Sequence, residues 1–524
     1  MGWADGYVMD TLCSPGFYRE TAPSYLRYAA LLGGCAVEPP AQGLELGCGI
    51  GFNVALLAAA NPGCAWVGVD FNPGHIAAAA AFQREAGLTN LRYDDASFAD
   101  WAGEGPGGFG VVLLHGIYSW IDAATAADVR RILGRALAVG GAAYLSYNTP
   151  PGWAAVAPLR RLFLEHARRH PGTAGERVQG GIAFAQALAA ATALGAALGA
   201  APGAGSGPGG GYFAANPAAV ARLNDLAGQD PHYLAHEYLN ESWRLLDHAE
   251  VAGEMAAARL TYLGLADPTD PFPALSVPEG VRALAAASPD RVMAETVRDY
   301  AVGRAFRRDL YGRGAVALTA AEREERLMAA PLATLTYPDD LQTITRTGIG
   351  AVEADPAIAR PLVARLWAEG PQPLSALARR DWPLPDLLHT VALLVLGGQI
   401  HPAASPAGPV DEAARAVARR FNAAVCAKTR RGGTMGFLAA PGIGSGIPAG
   451  VMEQVVLTAM LESPAAGVEA LAAAVLPHLE ALGRPILRAG QPIADPADAR
   501  DELAARLRRH RDRRVPVWRA LGVL

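Results

Sequence analysis

Lysine is all but missing from this chain: Lys428 stands alone among 45 basic residues, the rest being arginine. The bias travels with abundant Ala, Gly and Pro and carries no functional meaning, except that a lysine-directed activity would find one site on the protein itself. Cysteine is scarce and unpaired in pattern. The five residues, Cys13, Cys35, Cys48, Cys64 and Cys426, form no CxxC and have no histidines at ligand spacing. That argues against a disulfide framework and a zinc site, so no metal is expected and a reducing cytoplasmic setting is. Excess charge is missing too. With 45 basic against 50 acidic residues the net charge is −5, which argues against a general nucleic-acid binder. The N-terminus carries Asp5 and Asp10 and has no basic start followed by an apolar run, so no signal peptide is read. One nearly uncharged stretch, residues 181–201, is long enough to span a bilayer. It is mostly Ala and Gly, which gain little in lipid, and it reads as a packing helix rather than a stable membrane insertion.

What is present is a large apolar content. Hydrophobic residues make up 51% and charged residues 18% of 524 positions, the composition of a globular chain of roughly three or four domains. After an aromatic lead (Tyr7, Phe17, Tyr18, Tyr25, Tyr28), short apolar runs alternate with helical stretches. Strands are predicted at Gly43–Leu46, Trp66–Val69, Leu91–Tyr93, Val111–Leu114 and Ala142–Ser146, with helices such as Ile76–Glu85 and Ala123–Leu137 between them. This alternation predicts an α/β fold, a mostly parallel sheet with helices on both faces. A glycine-dense break at 203–211 marks a linker, residues 213–315 read mostly as helices, and 356–402 as a helix-turn-helix with a small wing. The C-terminal piece reads as helical, closing on an arginine-laden helix at 499–513.

The run Glu45-Leu-Gly47-Cys-Gly49-Ile-Gly51 follows a strand and precedes a helix. Gly47 allows a tight turn, Gly49 lets the backbone approach a ligand, and Gly51 lets the helix pack on the strand. The third glycine comes one position too early for the dinucleotide pattern G-x-G-x-x-G, position 52 being Phe. Glu45 closes the strand where enzymes using S-adenosylmethionine (SAM) place an acid for the cofactor's amino-acid end. Asp70, followed by Phe71, closes the second strand, where a carboxylate accepts from both ribose hydroxyls. Asp95 and Ala96 follow the third, beside the adenine. On this reading Asp70→Ala abolishes SAM binding and leaves unfolding without cofactor nearly unchanged.

Ligands of such sheets lie beyond the carboxyl ends of the strands, at the switch in strand order. The loops Leu114-His115-Gly-Ile-Tyr118-Ser-Trp120 and Tyr147-Asn-Thr-Pro-Pro-Gly-Trp153 should flank the reactive methyl. His115, Tyr118, Trp120 and Tyr147 are therefore the candidate catalytic residues, with Trp153 beside them. Aromatic faces suit a sulfonium or an alkylated ammonium, and His115 also borders the cofactor. The order His232-x-x-x-His236-Glu237 reverses a zinc motif and reads as structural packing, and Arg304, Arg307, Arg308 and Asp309 read as a solvated or interdomain ion-pair face.

These motifs resemble class I SAM-dependent methyltransferases. More narrowly the chain looks like the bacterial group carrying a methyltransferase regulatory domain, which includes the rickettsial-type outer-membrane-protein lysine methyltransferases. The residues behind the narrower likeness are Gly6-Tyr7, Phe17-Tyr18-Arg19-Glu20, His115-Gly-Ile-Tyr118-Ser-Trp120, His232-Tyr-Leu-Ala-His236-Glu237-Tyr238-Leu-Asn240 and Phe306-Arg-Arg-Asp309. The resemblance implies a Rossmann-like core at 1–155, a helical insertion at 156–212, a regulatory domain at 213–325, a winged-helix-like module at 326–408 and a helical C-terminal domain at 409–524. It implies SAM as cofactor, a protein lysine amine as acceptor and a protein as partner, with a homodimer compatible. A small-molecule or lipid O- or N-methyltransferase, and a SAM-binding regulator without turnover, stay open beside it.

Overall fold

The computed structural model describes residues 15–197, 211–404, 408–433 and 435–524. The Gly6-Tyr7 part of the lead, Cys13 and nearly all of the glycine-dense break lie outside them. A seven-stranded sheet organises the molecule: β1 (Gln42–Leu46), β2 (Ala65–Asp70), β3 (Leu91–Asp95), β4 (Phe109–Leu114), β5 (Leu137–Asn148), β6 (Thr261–Leu265) and β7 (Phe306–Gly312). The order is β3-β2-β1-β4-β5-β7-β6. The first five strands are parallel, and β7 runs antiparallel to both β5 and β6. The order reverses between β1 and β4, so the ligand crevice of this Rossmann-like sheet opens where those two strands end.

Local chemistry sets the helices between the strands. α1 (Pro23–Leu32) begins on a proline whose missing N–H is no loss there. α3 (Pro73–Ala86) adds a cap, the Asn72 side chain accepting from the Gly74 N–H, and ends on left-handed Gly87. The Asp122 side chain caps α5 (Ala123–Ala136), and Ser97 caps α4 (Phe98–Glu104). α2 (Phe52–Ala60) differs from all of these because every one of its residues is buried. A helix that is apolar all round must be covered all round. Its outer side is covered by the hairpin at 437–448 and by the helix Glu412–Arg430. Asn61 donates to Gly444 O at 2.9 Å and Ser24 to Ile443 O at 2.6 Å, fastening that cover to the core.

The segment 213–315, expected to be mostly helical, also supplies β6 and β7, which complete the sheet begun by residues 42–148. In the C-terminal piece, Ala418, Phe421 and Leu438 belong to one apolar cluster with α1 and α2. The polypeptide between β5 and the helix His248–Ala257 forms a helical insertion with its own apolar cluster around Phe163, Leu223 and Tyr238.

The segment expected to be winged-helix-like combines short strands and helices. β8 (Pro331–Thr334) is the middle of a small antiparallel sheet, flanked by β11 (Gln372–Pro373) and β12 (Ile400–Pro402). A hairpin, β9 (Ile344–Thr347) and β10 (Gly350–Glu353), precedes the helices Pro356–Glu369, Leu374–Leu377 and Leu384–Leu396. The last of these carries no Lys or Arg and buries its apolar side, so it offers no groove-reading face. Among the described residues no helix is long and apolar enough to cross a membrane.

Candidate functional site

Gly47, Gly49 and Gly51 all take positive φ, at 70°, 54° and 73°. In that region a side chain is strained. Space forbids one as well: a Cβ on Gly47 would sit 2.3 Å from Ile117 Cδ1, and one on Gly51 2.4 Å from the Tyr93 hydroxyl. The Gly47 contact brings the first loop against the loop after β4, and the Tyr93 hydroxyl donates to Gly51 O at 3.0 Å. The loop turns over the tip of β2 through Gly47 and Cys48, whose N–H groups both reach Val69 O.

Asp70 is 6% exposed and is the knot of this turn. Its Oδ2 accepts from the Gly49 N–H at 2.9 Å, its Oδ1 from the Asn72 N–H at 2.9 Å, and His75 Nδ1 lies 3.2 Å from Oδ1. Register places Asp95 beside it on β3, exposed, and the Ala96 N–H reaches Asp70 O at 3.2 Å. Phe71 follows, half-buried. Glu45 lies behind the loop with one oxygen accepting from Asn53 Nδ2 at 2.9 Å. The other, Oε2, is buried without a hydrogen-bond partner among the described residues. Burial pushes this carboxyl up to about 8, against the pull of the Asn53 amide. An unpaired buried oxygen beside a glycine nest is the feature a cationic ligand group would complete.

His115 ends β4 at the switch point. Tyr18 stacks on its ring at 3.4 Å between centroids, Tyr144 lies parallel on the same imidazole at 5.9 Å, and Phe306 meets it edge-on at 5.9 Å. Nδ1 is 2.9 Å from the Tyr144 hydroxyl. Burial, with the Arg308 charge adding to it, lowers His115 to about 3, so the ring is neutral at physiological pH. Tyr18 is 38% exposed, so the stack opens to one side.

Four of the expected aromatic residues are elsewhere. Tyr118, 0% exposed, gives its hydroxyl to Glu254, with Arg130 also beside it. Tyr147, 1% exposed, donates to Asp309 Oδ2 at 2.7 Å. Both belong to the apolar cluster on the far face of the sheet, whereas Tyr144 belongs to the other. Side chains alternate along a strand, so Tyr144 and Tyr147 must face opposite ways. Trp153 donates its indole N–H to Ala305 O at 3.0 Å and packs with Trp243 and Tyr238. Trp120 is half-buried 6.3 Å from Trp243, at the root of the helical insertion. Tyr118 and Tyr147 therefore hold the fold rather than line a cleft.

Arg307 and Asp309, read as a solvated face, are both 0% exposed. Arg307 pairs with Glu295, Asp299 and Asp309 at 2.9, 2.6 and 2.9 Å. His232, His236 and Glu237 lie on the helix Pro231–Tyr238, packed on the long helix Ala174–Ala197. Burial raises Glu237 to about 7, opposed by the Arg222 charge. Sequence reasoning passed over Tyr18, Asn53 and Tyr93. Tyr18 carried a signal, an aromatic ring just ahead of a proline-started helix, while the other two are visible only in three dimensions.

Two family models match the chain, a methyltransferase domain over residues 44–143 and a "predicted methyltransferase regulatory domain" over residues 230–313. The uncharacterized protein sll1526 of Synechocystis sp. is 29% identical over 534 residues, 100% of both chains. The uncharacterized protein RP789 of Rickettsia prowazekii is 28% identical over 56% of this chain and 50% of its own length. Among solved structures, PKMT2 from Rickettsia typhi in complex with AdoHcy shares the fold with a TM-score of 0.68 and 18% identity, covering 98% of this chain and 99% of that one. The glycine loop, the strand order and the two family matches agree, and the chain is a SAM-dependent methyltransferase with a Rossmann-like class I core and a methyltransferase regulatory domain.

Proposed function

We propose that the methyl acceptor is the side-chain amine of a protein lysine, and that Glu45, Gly47, Gly49, Gly51, Asp70, Phe71, Asp95, Ala96 and His115 hold the cofactor. The observation that carries the reading is the aromatic stack at the end of β4, where His115 packs against Tyr18 and Tyr144 and the half-exposed Tyr18 opens it on one side. Bound SAM supplies an electrophilic methyl on a sulfonium. On this reading Asp70 orients the ribose, Asp95 the adenine, and the unpaired Oε2 of Glu45 the cationic amino-acid end. A neutral His115 does not repel a sulfonium, and the aromatic faces around it attract one.

A lysine amine, ordinarily near pKa 10.4, must be neutral to attack. The low-polarity Tyr18–His115–Phe306 wall favours that form by withholding water. The amine lone pair then forms the N–C bond as the S–CH3 bond breaks in line, and the surplus proton passes to solvent. The contribution of the protein is mainly orientation and water exclusion. Support for lysine comes from the resemblance to outer-membrane-protein lysine methyltransferases and from the full-length fold shared with PKMT2.

The test is incubation with methyl-tritiated SAM and host lysate, half of it with its lysines acetylated beforehand. Label should enter protein and vanish from the acetylated half. Label confined to a small-molecule or lipid extract would overturn the lysine reading while leaving the methyltransferase intact.

A further inference from the structure

A cavity of about 340 Å³ lies away from the cofactor crevice, lined mostly by the segment matched by the regulatory-domain model and closed by α1 and Arg323. It opens between the C-terminal half of α1, the end of β6, and the helices Glu279–Ala286 and Arg291–Val302. Its polar lining is of two kinds. Asp270, Glu295 and Arg298 line it together with Arg282, Arg291 and Arg323, Arg291 sharing one helix face with Glu295 and Arg298.

Asp270 is 5% exposed. Its Oδ2 is 3.3 Å from Arg298 Nη1, and its Oδ1 is buried with no hydrogen-bond partner among the described residues. It ends a chain of buried charges in which four carboxylates, Asp270, Glu295, Asp299 and Asp309, are linked to three guanidiniums, Arg298, Arg304 and Arg307. His248 sits at the opposite end, 3.2 Å from Asp309. The pocket end of the chain is thus the end short of a cation. Burial beside the Glu295 carboxylate holds the Asp270 carboxyl well above its ordinary range, a mark of incomplete pairing.

The other three arginines show the converse. Arg282 donates to Val277 O and Ala274 O, Arg291 to Tyr262 O and Leu263 O, and Arg323 to Leu32 O. None has a carboxylate within 4.0 Å among the described residues, and Arg323 Nε is buried without a partner. Guanidiniums held by neutral carbonyls keep their full positive charge available to an anion.

From this bipolar lining we infer that the cavity binds a small zwitterion of the α-amino-acid class, its ammonium on Asp270 and its carboxylate on the arginine rim. At the low end of ligand-pocket sizes the cavity suits such a molecule. Its α1 wall runs back over about 15 Å of helix to Pro23, and Tyr18, whose ring stacks on His115, lies in the short segment just before that helix.

Calorimetric titration of the full chain with each standard L-amino acid, in saturating AdoHcy to occupy the cofactor site, tests this. At least one should bind at millimolar concentration or tighter, and its N-acetyl and decarboxylated analogues should not. Asp270→Asn should weaken binding about tenfold or more, as expected for one charge-assisted hydrogen bond. Should that variant fold poorly, Arg282→Gln, on a half-buried rim position, should weaken it similarly. No binding by any of the amino acids, equal binding of the N-acetyl form, or unchanged binding by the variants would overturn the inference.

Discussion

Replacing Asp70 by alanine separates two accounts of that residue. If it served the cofactor alone, the protein without cofactor would hardly notice its loss. The structure predicts otherwise, because the carboxylate satisfies the N–H groups of Gly49 and Asn72, both at 2.9 Å, in a site where it is itself 6% exposed. Leaving a buried donor unpaired costs roughly 1–3 kcal/mol. Two such donors, partly relieved by entering water, put the loss at about 2–4 kcal/mol in the protein without cofactor. The sequence-based expectation of unchanged unfolding is accordingly withdrawn. Asp70→Asn should cost less, since its Oδ1 still accepts one N–H, and should still lose the anionic acceptor for the ribose, weakening SAM by about 100-fold. The assays are urea unfolding followed by tryptophan fluorescence and calorimetric titration with SAM. An alanine variant as stable as the wild type, or an asparagine variant that binds SAM normally, would refute the reasoning.

Other outcomes follow from the same geometry. Glu45 is raised from its unfolded value to about 8 by burial. The folded state therefore keeps a proton that the unfolded state releases, and stability without cofactor should fall as pH rises from about 5 to 8. Glu45→Gln should flatten that profile in urea unfolding at stepped pH, yet weaken SAM binding about tenfold. Tyr18→Ala, which removes the ring at 3.4 Å from His115, should lower kcat for methyl transfer at least about tenfold and change the SAM Kd little, measured by steady-state kinetics beside calorimetry. Arg307→Met leaves Glu295, Asp299 and Asp309 without their shared partner and should cost about 3–5 kcal/mol, read as a shift of the urea midpoint. Gly51→Ala forces a Cβ to within 2.4 Å of the Tyr93 hydroxyl and should abolish SAM binding, read by titration.

The first five strands were legible because they are short, largely apolar runs alternating with helical stretches, and their observed bounds differ from the expected ones mainly at the ends. The glycine loop, Asp70 and Asp95 could be read for a like reason, since chemistry at strand tips is tied to position in the chain. β7 escaped notice because its inward positions are Arg307 and Asp309. Charges at core positions erase the alternation by which a strand is recognised, and only their mutual pairing makes burial tolerable. The catalytic candidates were partly misplaced for a geometric reason. A sequence shows that Tyr144 and Tyr147 lie near the end of one strand, but which of them faces the cleft depends on which face the flanking helices cover. His115 and Tyr144 share one face, and Tyr147 and Tyr118 the other.

Methyl transfer on this reading requires one nucleoside to be held by the Gly47–Gly51 turn, Asp70 and Asp95 together. A crystal of the protein soaked with AdoHcy measures this directly. Ribose oxygens within hydrogen-bond distance of Asp70, adenine beside Asp95 and the amino-acid end at Glu45 are the predicted result. Density for AdoHcy anywhere else, or an Asp70 whose oxygens remain wholly committed to Gly49 and Asn72, would contradict it.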